Sequence, residues 1–247
     1  MGATVTSRAL ALLSAFDEHH RQLTLTELAH RAGLPVPTAH RLAGELLAWG
    51  ALDRASPGSA HYVVGRRLWD LGLLAPVQTG LRHVASPFLH DVYAATLATV
   101  HLAVRDGDEV LYVDRLSGRQ SVPVVSEIGS RLPLHSTGVG KVLLAHAPAD
   151  VRRRVLAAPR RITPYTITQP GRLAAQLDRV RRDGYAQTVE EMSLGGCSVA
   201  VPVRQRVRGT VQVVAAVGLV VPHLRRDKPR LVAALTVAAE GISRSLR

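Results

Sequence analysis

Apolar and polar positions change their rhythm twice along the chain. Residues 7–18 set Ala9, Leu10, Leu13 and Phe16 at helical spacing on one stripe. Thr24-Leu25-Thr26-Glu27 then forms a capping box, in which Thr24 and Glu27 satisfy each other's orphan backbone N–H groups. It predicts a short helix with Leu28, Ala29 and Ala32 inward, closed by Gly33 in the left-handed conformation. Pro37 suits the first position of the next helix, where a missing N–H costs little. In that helix Ala39, Leu42, Ala43, Leu46, Leu47 and Trp49 fall on one side, and Thr38, His40 and Arg41 stand at the exposed front. Residues 51–54 and 61–64 flank Ser56-Pro57-Gly58-Ser59, two short runs around a turn, which read as a β-hairpin. Three helices and a hairpin predict a winged helix-turn-helix over residues 1–65, with Leu34 plugging the turn.

Residues 66–78 restore helical spacing through Leu68, Leu71 and Leu74 or Ala75. They predict a linker helix within 66–82, interrupted or bent near Pro76, and a fresh helix is expected from Ser86-Pro87 to about residue 97. Beyond it the period shortens. Strands are expected at 99–105 and 109–114 around Asp106-Gly107-Asp108, near 122–127, at 198–203 and at 211–221. "LPLHSTGVGKVLLAHA" reads as a loop turning into a helix, with further helices at 149–157, 173–183 and 229–246. The fold class is therefore α/β in the α+β sense, a winged helix joined by a linker helix to a mixed domain over 83–247 with a mostly antiparallel sheet.

A helix with a polar front and an apolar back suits the major groove of double-stranded DNA, which admits one helix and is read near that helix's N-terminus. Thr38, His40 and Arg41 are the candidate base-facing residues, with Pro37 at the helix start. Arginine suits guanine because its planar fork meets both acceptors of that base. Thr26 lies where the preceding helix would cross the backbone, and Arg54 at the wing is a candidate phosphate contact. A lone amphipathic helix would be weak evidence; the ordered set of capping box, glycine turn, proline-started helix and wing is specific.

Composition changes this picture little. Of 247 residues, 47% are hydrophobic and 20% charged, as in globular chains. The formal net charge is +12, yet residues 1–80 carry seven Arg against six acids, so bulk charge attracts polyanions without locating the contact. The longest nearly apolar run, 211–221, is about half the ~20 residues that a membrane-spanning helix needs. The single Cys197 excludes an internal disulfide framework and fits a reducing cytosol, so a cytoplasmic protein that visits the nucleoid is expected.

"HSTGVGK" is the most chemical-looking stretch of the second domain. Ser136 is expected to cap a helix and leave the N–H groups of Thr137, Gly138 and Val139 at its positive end, a place for a carboxylate. It is not a P-loop, since His135 and Val142 stand where glycine and Ser or Thr would be needed. Glu190 and Glu191 are expected to be solvated or Arg-paired. For catalysis only Cys197 with His135 is worth naming, with Ser136 and Ser198 as substitutes, and nothing in the spacing brings them together. His19 and His20 are adjacent and cannot share a helix face as metal ligands would, so no metal or cofactor is expected.

Three stretches, "LTLTELAHRAGLPVPTAHRLAGELLAWGAL", "LPLHSTGVGKVLLA" and "DGYAQTVEEMSLGGCSVAVPV", resemble in that order the IclR-type bacterial transcriptional regulators over nearly the whole chain. The third departs from the usual signature. Thr188 stands where Asp or Ser is common, and Arg204-Gln205 replace an aromatic–acid pair. Cys197 lies one place before the usual cysteine, and that place holds Ser198. The resemblance implies a GAF-like effector-binding domain and non-enzymatic regulators that self-associate as dimers or tetramers on palindromic operators, more often repressing than activating. It also implies an effector pocket formed by the loop of His135, Ser136, Thr137, Gly138 and Val139 with Thr188, Ser198, Gly218 and Val220. The last two stand where serines are common. Their loss predicts a roomier, less polar pocket for an organic acid with an apolar or aromatic body. A redox or signal-molecule sensor built on Cys197 is the alternative.

Overall fold

The computed structural model describes residues 4–17, 19–73, 76–118, 125–224 and 227–246. They form two compact units, Met1–Thr79 and Gly80–Arg247.

The first unit is built from helices α1 (Val5–Leu13), α2 (Leu25–Arg31) and α3 (Val36–Trp49), with strands β1 (Leu23–Thr24), β2 (Leu52–Arg54) and β3 (His61–Val64) in the order β1-β3-β2. The capping box forms as expected, Thr24 and Glu27 bonding reciprocally. Gly33 turns the chain at φ 64°, and α3 ends on Gly50 at φ 82°, values that side chains with a Cβ rarely adopt. Leu12, Leu28, Leu42, Leu52 and Tyr62 make the core. Two expected core positions differ. Leu10 is exposed and Leu12 fully buried, because Ala9, Leu12, Leu13 and Phe16 are the residues at true i, i+3, i+4, i+7 spacing. Trp49 is also exposed, and its ring lies under the Arg67 guanidinium at 4.4 Å.

After the wing come α4 (Arg66–Leu73) and α5 (Pro76–Thr96), with residues 74 and 75 outside the described set. No new helix starts at Ser86-Pro87. α5 runs through Pro87 although proline removes one helix hydrogen bond. Ala85, Leu89 and Val92 explain this: they hold one stripe across the proline and bury it in the core, so packing outweighs the lost bond.

The second unit is a six-stranded antiparallel sheet in the order β6-β5-β4-β9-β8-β7. Its strands are β4 (Thr99–Asp106), β5 (Glu109–Leu116), β6 (Arg131–Pro133), β7 (Ala186–Val189), β8 (Cys197–Val207) and β9 (Thr210–Val221). Of the strand expected at 122–127, residues 122–124 lie outside the described residues and 125–127 are not strand; β6 follows instead. Period-two alternation gives each face its own core. Cys197, Val199, Val201 and Val203 of β8 join Val217 and Leu219 of β9 against α5 and α9 (Lys228–Ser245). On the other face Ala200 and Ala216 pack under α6 (Gly138–Ala145) and α8 (Pro170–Asp183), with α7 (Ala149–Ala157) beside them. Among the described residues no helix is long and apolar enough to cross a membrane.

Helix α6 is buried along its entire length. Even Lys141 is fully enclosed, and its Nζ donates to Glu191 Oε1 at 2.5 Å and to Gln176 Oε1 at 2.7 Å. Glu191 is thus neither solvated nor Arg-paired. Burial draws the Lys141 pKa down and pushes that of Glu191 up, while their mutual attraction opposes both shifts. A buried pair broken on one side leaves an uncompensated charge. Lys141→Met alone should therefore cost about 3–5 kcal/mol in urea denaturation at neutral pH, and adding Glu191→Leu should recover most of it.

Candidate DNA-reading surface and effector cavity

In the first unit α3 carries its polar front as the pattern requires. Pro37 lies in its first turn, Thr38 is half-buried, and His40 and Arg41 are exposed. Arg41 reaches one turn along the helix to Glu45 Oε1 at 2.5 Å, an exposed pair that DNA phosphates and bases can outcompete. Thr26 stands exposed on α2. Arg54 braces the wing: its guanidinium stacks 4.0 Å from the Tyr62 ring centroid and donates to the carbonyls of Ser59 and Ala60 and to the Tyr62 hydroxyl.

In the second unit a cavity of about 50 Å³ lies where the first turn of α6 meets the sheet. Strand register explains its floor. One cross-strand row runs Thr188, Ser198, Val220, Thr99 across β7, β8, β9 and β4. The next runs Ala186, Ala200, Gly218, His101. Thr188, Ser198, Gly218 and Val220 line the cavity from the floor, and Thr137, Gly138 and Val139 line it from α6. The Thr188 and Ser198 hydroxyls share a 2.6 Å hydrogen bond.

Two expected lining residues are turned elsewhere. His135 Nε2 bonds the Arg160 carbonyl at 2.8 Å, and Ser136 Oγ donates to Met192 Sδ at 3.3 Å. Neither lines the cavity. The helix cap is Thr137, one residue later than expected, whose Oγ1 accepts from the Gly140 N–H at 3.1 Å.

The expected extra room at Gly218 is also absent. A Cβ there would lie 2.8 Å from Val139 Cγ1 and 3.0 Å from both Ala200 Cβ and the Val199 carbonyl oxygen. Val139 fills the space that the missing side chain leaves. At Gly138 a Cβ would come within 2.6 Å of Ser198 Oγ, so this glycine serves the approach of helix to sheet.

His101, Tyr112, Ser126, Met192 and Ser193 also line the cavity and were not singled out from the sequence. The signal for His101 was a lone polar ring in "TVHLAV", on the strand face that alternation turns toward α6. Its Nε2 lies 2.8 Å from Ser126 Oγ, and its ring meets Tyr112 edge-on at 5.1 Å between centroids. Burial, aided by the Arg115 charge, lowers the His101 pKa from 6.5 to about 3, so the imidazole is neutral near pH 7. Burial likewise pushes the Tyr112 phenol above its ordinary range, opposed by a hydrogen bond with Thr137. No carboxylate, ammonium or guanidinium lines the cavity among the described residues.

Cys197 points to the other sheet face and packs in the core with α9. Burial and the neighbouring Glu190 raise its pKa, which suits neither a nucleophile nor a redox switch.

A helix-turn-helix with an exposed second helix in one unit, and in the other a curled antiparallel sheet with a small uncharged cavity, together define a ligand-binding transcriptional regulator. Family models agree over both parts. The IclR helix-turn-helix domain matches residues 5–56, and the bacterial transcriptional regulator IclR C-terminal domain matches residues 75–244. The chain belongs to the IclR family of transcriptional regulators, whose members are not enzymes. It is 33% identical over 241 residues to the glycerol operon regulatory protein of Streptomyces coelicolor, covering 97% of this chain and 94% of that one. It is 32% identical over 205 residues to the p-hydroxybenzoate hydroxylase transcriptional activator of Acinetobacter baylyi, covering 80% and 74%. An IclR homolog from Microbacterium hydrocarbonoxydans, solved in complex with 4-hydroxybenzoate, superimposes with a TM-score of 0.92 at 33% identity and 99% coverage of both chains.

The neutral His101 makes stability depend on pH with a defined sign. Unfolded, it takes up a proton below about pH 6.5; folded, it does so only near pH 3. Its contribution should be complete above pH 6.5 and fall by up to about 1.4 kcal/mol per pH unit as acidity rises. Melting temperatures from pH 7.5 to 4.5 should show this slope, and His101→Gln should flatten it.

Proposed function

We propose that this regulator uses residues 1–65 to read a palindromic operator and residues 83–247 to sense an aromatic acid, with 66–82 as the connecting segment. Working in the bacterial cytoplasm, it would act as a repressor. His40 and Arg41 stand exposed on α3 with the half-buried Thr38 beside them, the polar front that a reading helix needs. Self-association as a dimer, alone or paired into a tetramer, would give cover to exposed apolar side chains of the first unit such as Trp69 of α4. Two-fold symmetry of the protein would then be mirrored in the operator.

The observation that carries the sensing half is the cavity's lining. Leu132, Val139 and Val220 supply an apolar bed, and the Thr188–Ser198 hydroxyl pair lies beside the start of α6. An acid head has the first N–H groups of α6 and these hydroxyls to meet it. The relative solved with 4-hydroxybenzoate, and the one named for p-hydroxybenzoate hydroxylase, support an aromatic body. At about 50 Å³ the cavity is far below the 300–1,000 Å³ of ordinary ligand sites, so binding must shift Val139 and the helix it belongs to. That displacement gives the ligand unequal affinity for two states, the condition for coupling to DNA.

Two measurements test the reading. On a site selected from random duplexes, a footprint should show two half-sites, and Arg41→Ala should weaken binding by about 1–3 kcal/mol and relax the preference for guanine while the fold persists. By calorimetry the protein should bind 4-hydroxybenzoate and not glyoxylate, and the bound form should change the footprint. Val139→Ala should tighten 4-hydroxybenzoate binding several-fold by clearing the cavity, whereas Gly218→Ala should weaken it. Tight binding of glyoxylate alone would overturn the aromatic reading.

A further inference from the structure

We infer that His101 and Ser126 form a subsite for an uncharged hydroxyl on the effector's ring, at the side of the cavity away from the Thr188–Ser198 pair. This rests on the aromatic-acid reading above and deepens it.

The sheet supplies the separation. His101 belongs to β4 and Ser198 to β8, with β9 between them. Two strand spacings are about 10 Å. Between the two polar walls the floor is Gly218 and Val220, overhung by Val139, with nothing that hydrogen-bonds through a side chain. Once Val139 is displaced, a planar ring could lie over that apolar floor, and polar groups at opposite ends of the ring would meet opposite walls.

The chemistry of the β4 side selects a hydroxyl over a second acid. His101 and Ser126 are each nine-tenths or more buried and bond to each other at 2.8 Å. A neutral imidazole offers one donor and one acceptor nitrogen, and the serine hydroxyl can play either part. A ligand hydroxyl, itself donor and acceptor, extends such a chain with every lone pair and proton matched. A carboxylate only accepts, so it could not donate to the imidazole's acceptor nitrogen or to the serine oxygen. The adjacent guanidinium, that of Arg115, donates from Nη1 to the Ser126 carbonyl at 2.9 Å and so fixes the serine in place. Tyr112, edge-on to His101, closes this end with a ring that favours aromatic company.

Calorimetry on the full-length protein with benzoate and 4-hydroxybenzoate tests the inference. The unmodified protein should bind 4-hydroxybenzoate about tenfold or more tightly than benzoate, the worth of one well-made hydrogen bond in a dry site. In Ser126→Ala that preference should shrink to about twofold, through loss of affinity for 4-hydroxybenzoate with benzoate unchanged. Equal binding of the two acids by the unmodified protein, or an undiminished preference in Ser126→Ala, overturns the hydroxyl subsite and leaves the aromatic-acid reading standing. If neither acid binds, the aromatic-acid reading falls and the subsite falls with it.

Discussion

How closely α6 approaches the sheet governs the rest of the sensory unit. Two glycines set that distance from both sides, Gly138 admitting Ser198 Oγ and Gly218 receiving Val139, while Gly140 admits the Leu134 carbonyl and Thr137 Oγ1 of the turn that leads into the helix. A Cβ at any of them would fall inside the contact distance that real structures tolerate. The helix therefore lies so near the strands that its first turn becomes one wall of the cavity. The same closeness encloses Lys141, whose ammonium must find Glu191 and Gln176 because water cannot reach it.

Much of the first unit was legible in the chain, because its signals are local. The Thr24–Glu27 box, Gly33 and Pro37 each act within a few residues, and the helix-turn-helix follows from their order. The errors there have local causes too. Leu10 is exposed because the full i, i+3, i+4, i+7 stripe runs through Leu12, which packs with Leu28 and Leu42. Ser86-Pro87 looked like a helix start, yet Ala85, Leu89 and Val92 carry α5 through it.

The cavity was legible in part. Gly218 and Val220 share one face as period-two spacing requires, Thr188 and Ser198 join them as the resemblance implies, and Gly138 and Val139 meet them. The cap is Thr137 and not Ser136, because a sequence does not say which hydroxyl caps a helix when Ser and Thr are adjacent. The β4–β5 side was missed for a different reason. His101, Tyr112 and Ser126 come together only through strand pairing and a loop that returns from residue 125, contacts that no local pattern encodes. The error about Gly218 is instructive: removing a side chain from one wall made room that the facing helix then occupied.

The enclosed Lys141–Glu191 pair has a bearing on how such a sensor can change over generations. Either partner alone is a liability once the other is gone, so a lineage that discards the pair must cross a poorly folded intermediate or alter both codons together. Positions such as Val139 and Ser126 face no such valley. Drift toward a new metabolite is accordingly channelled into the pocket's rim, while the ionic bolt beneath it stays where it is.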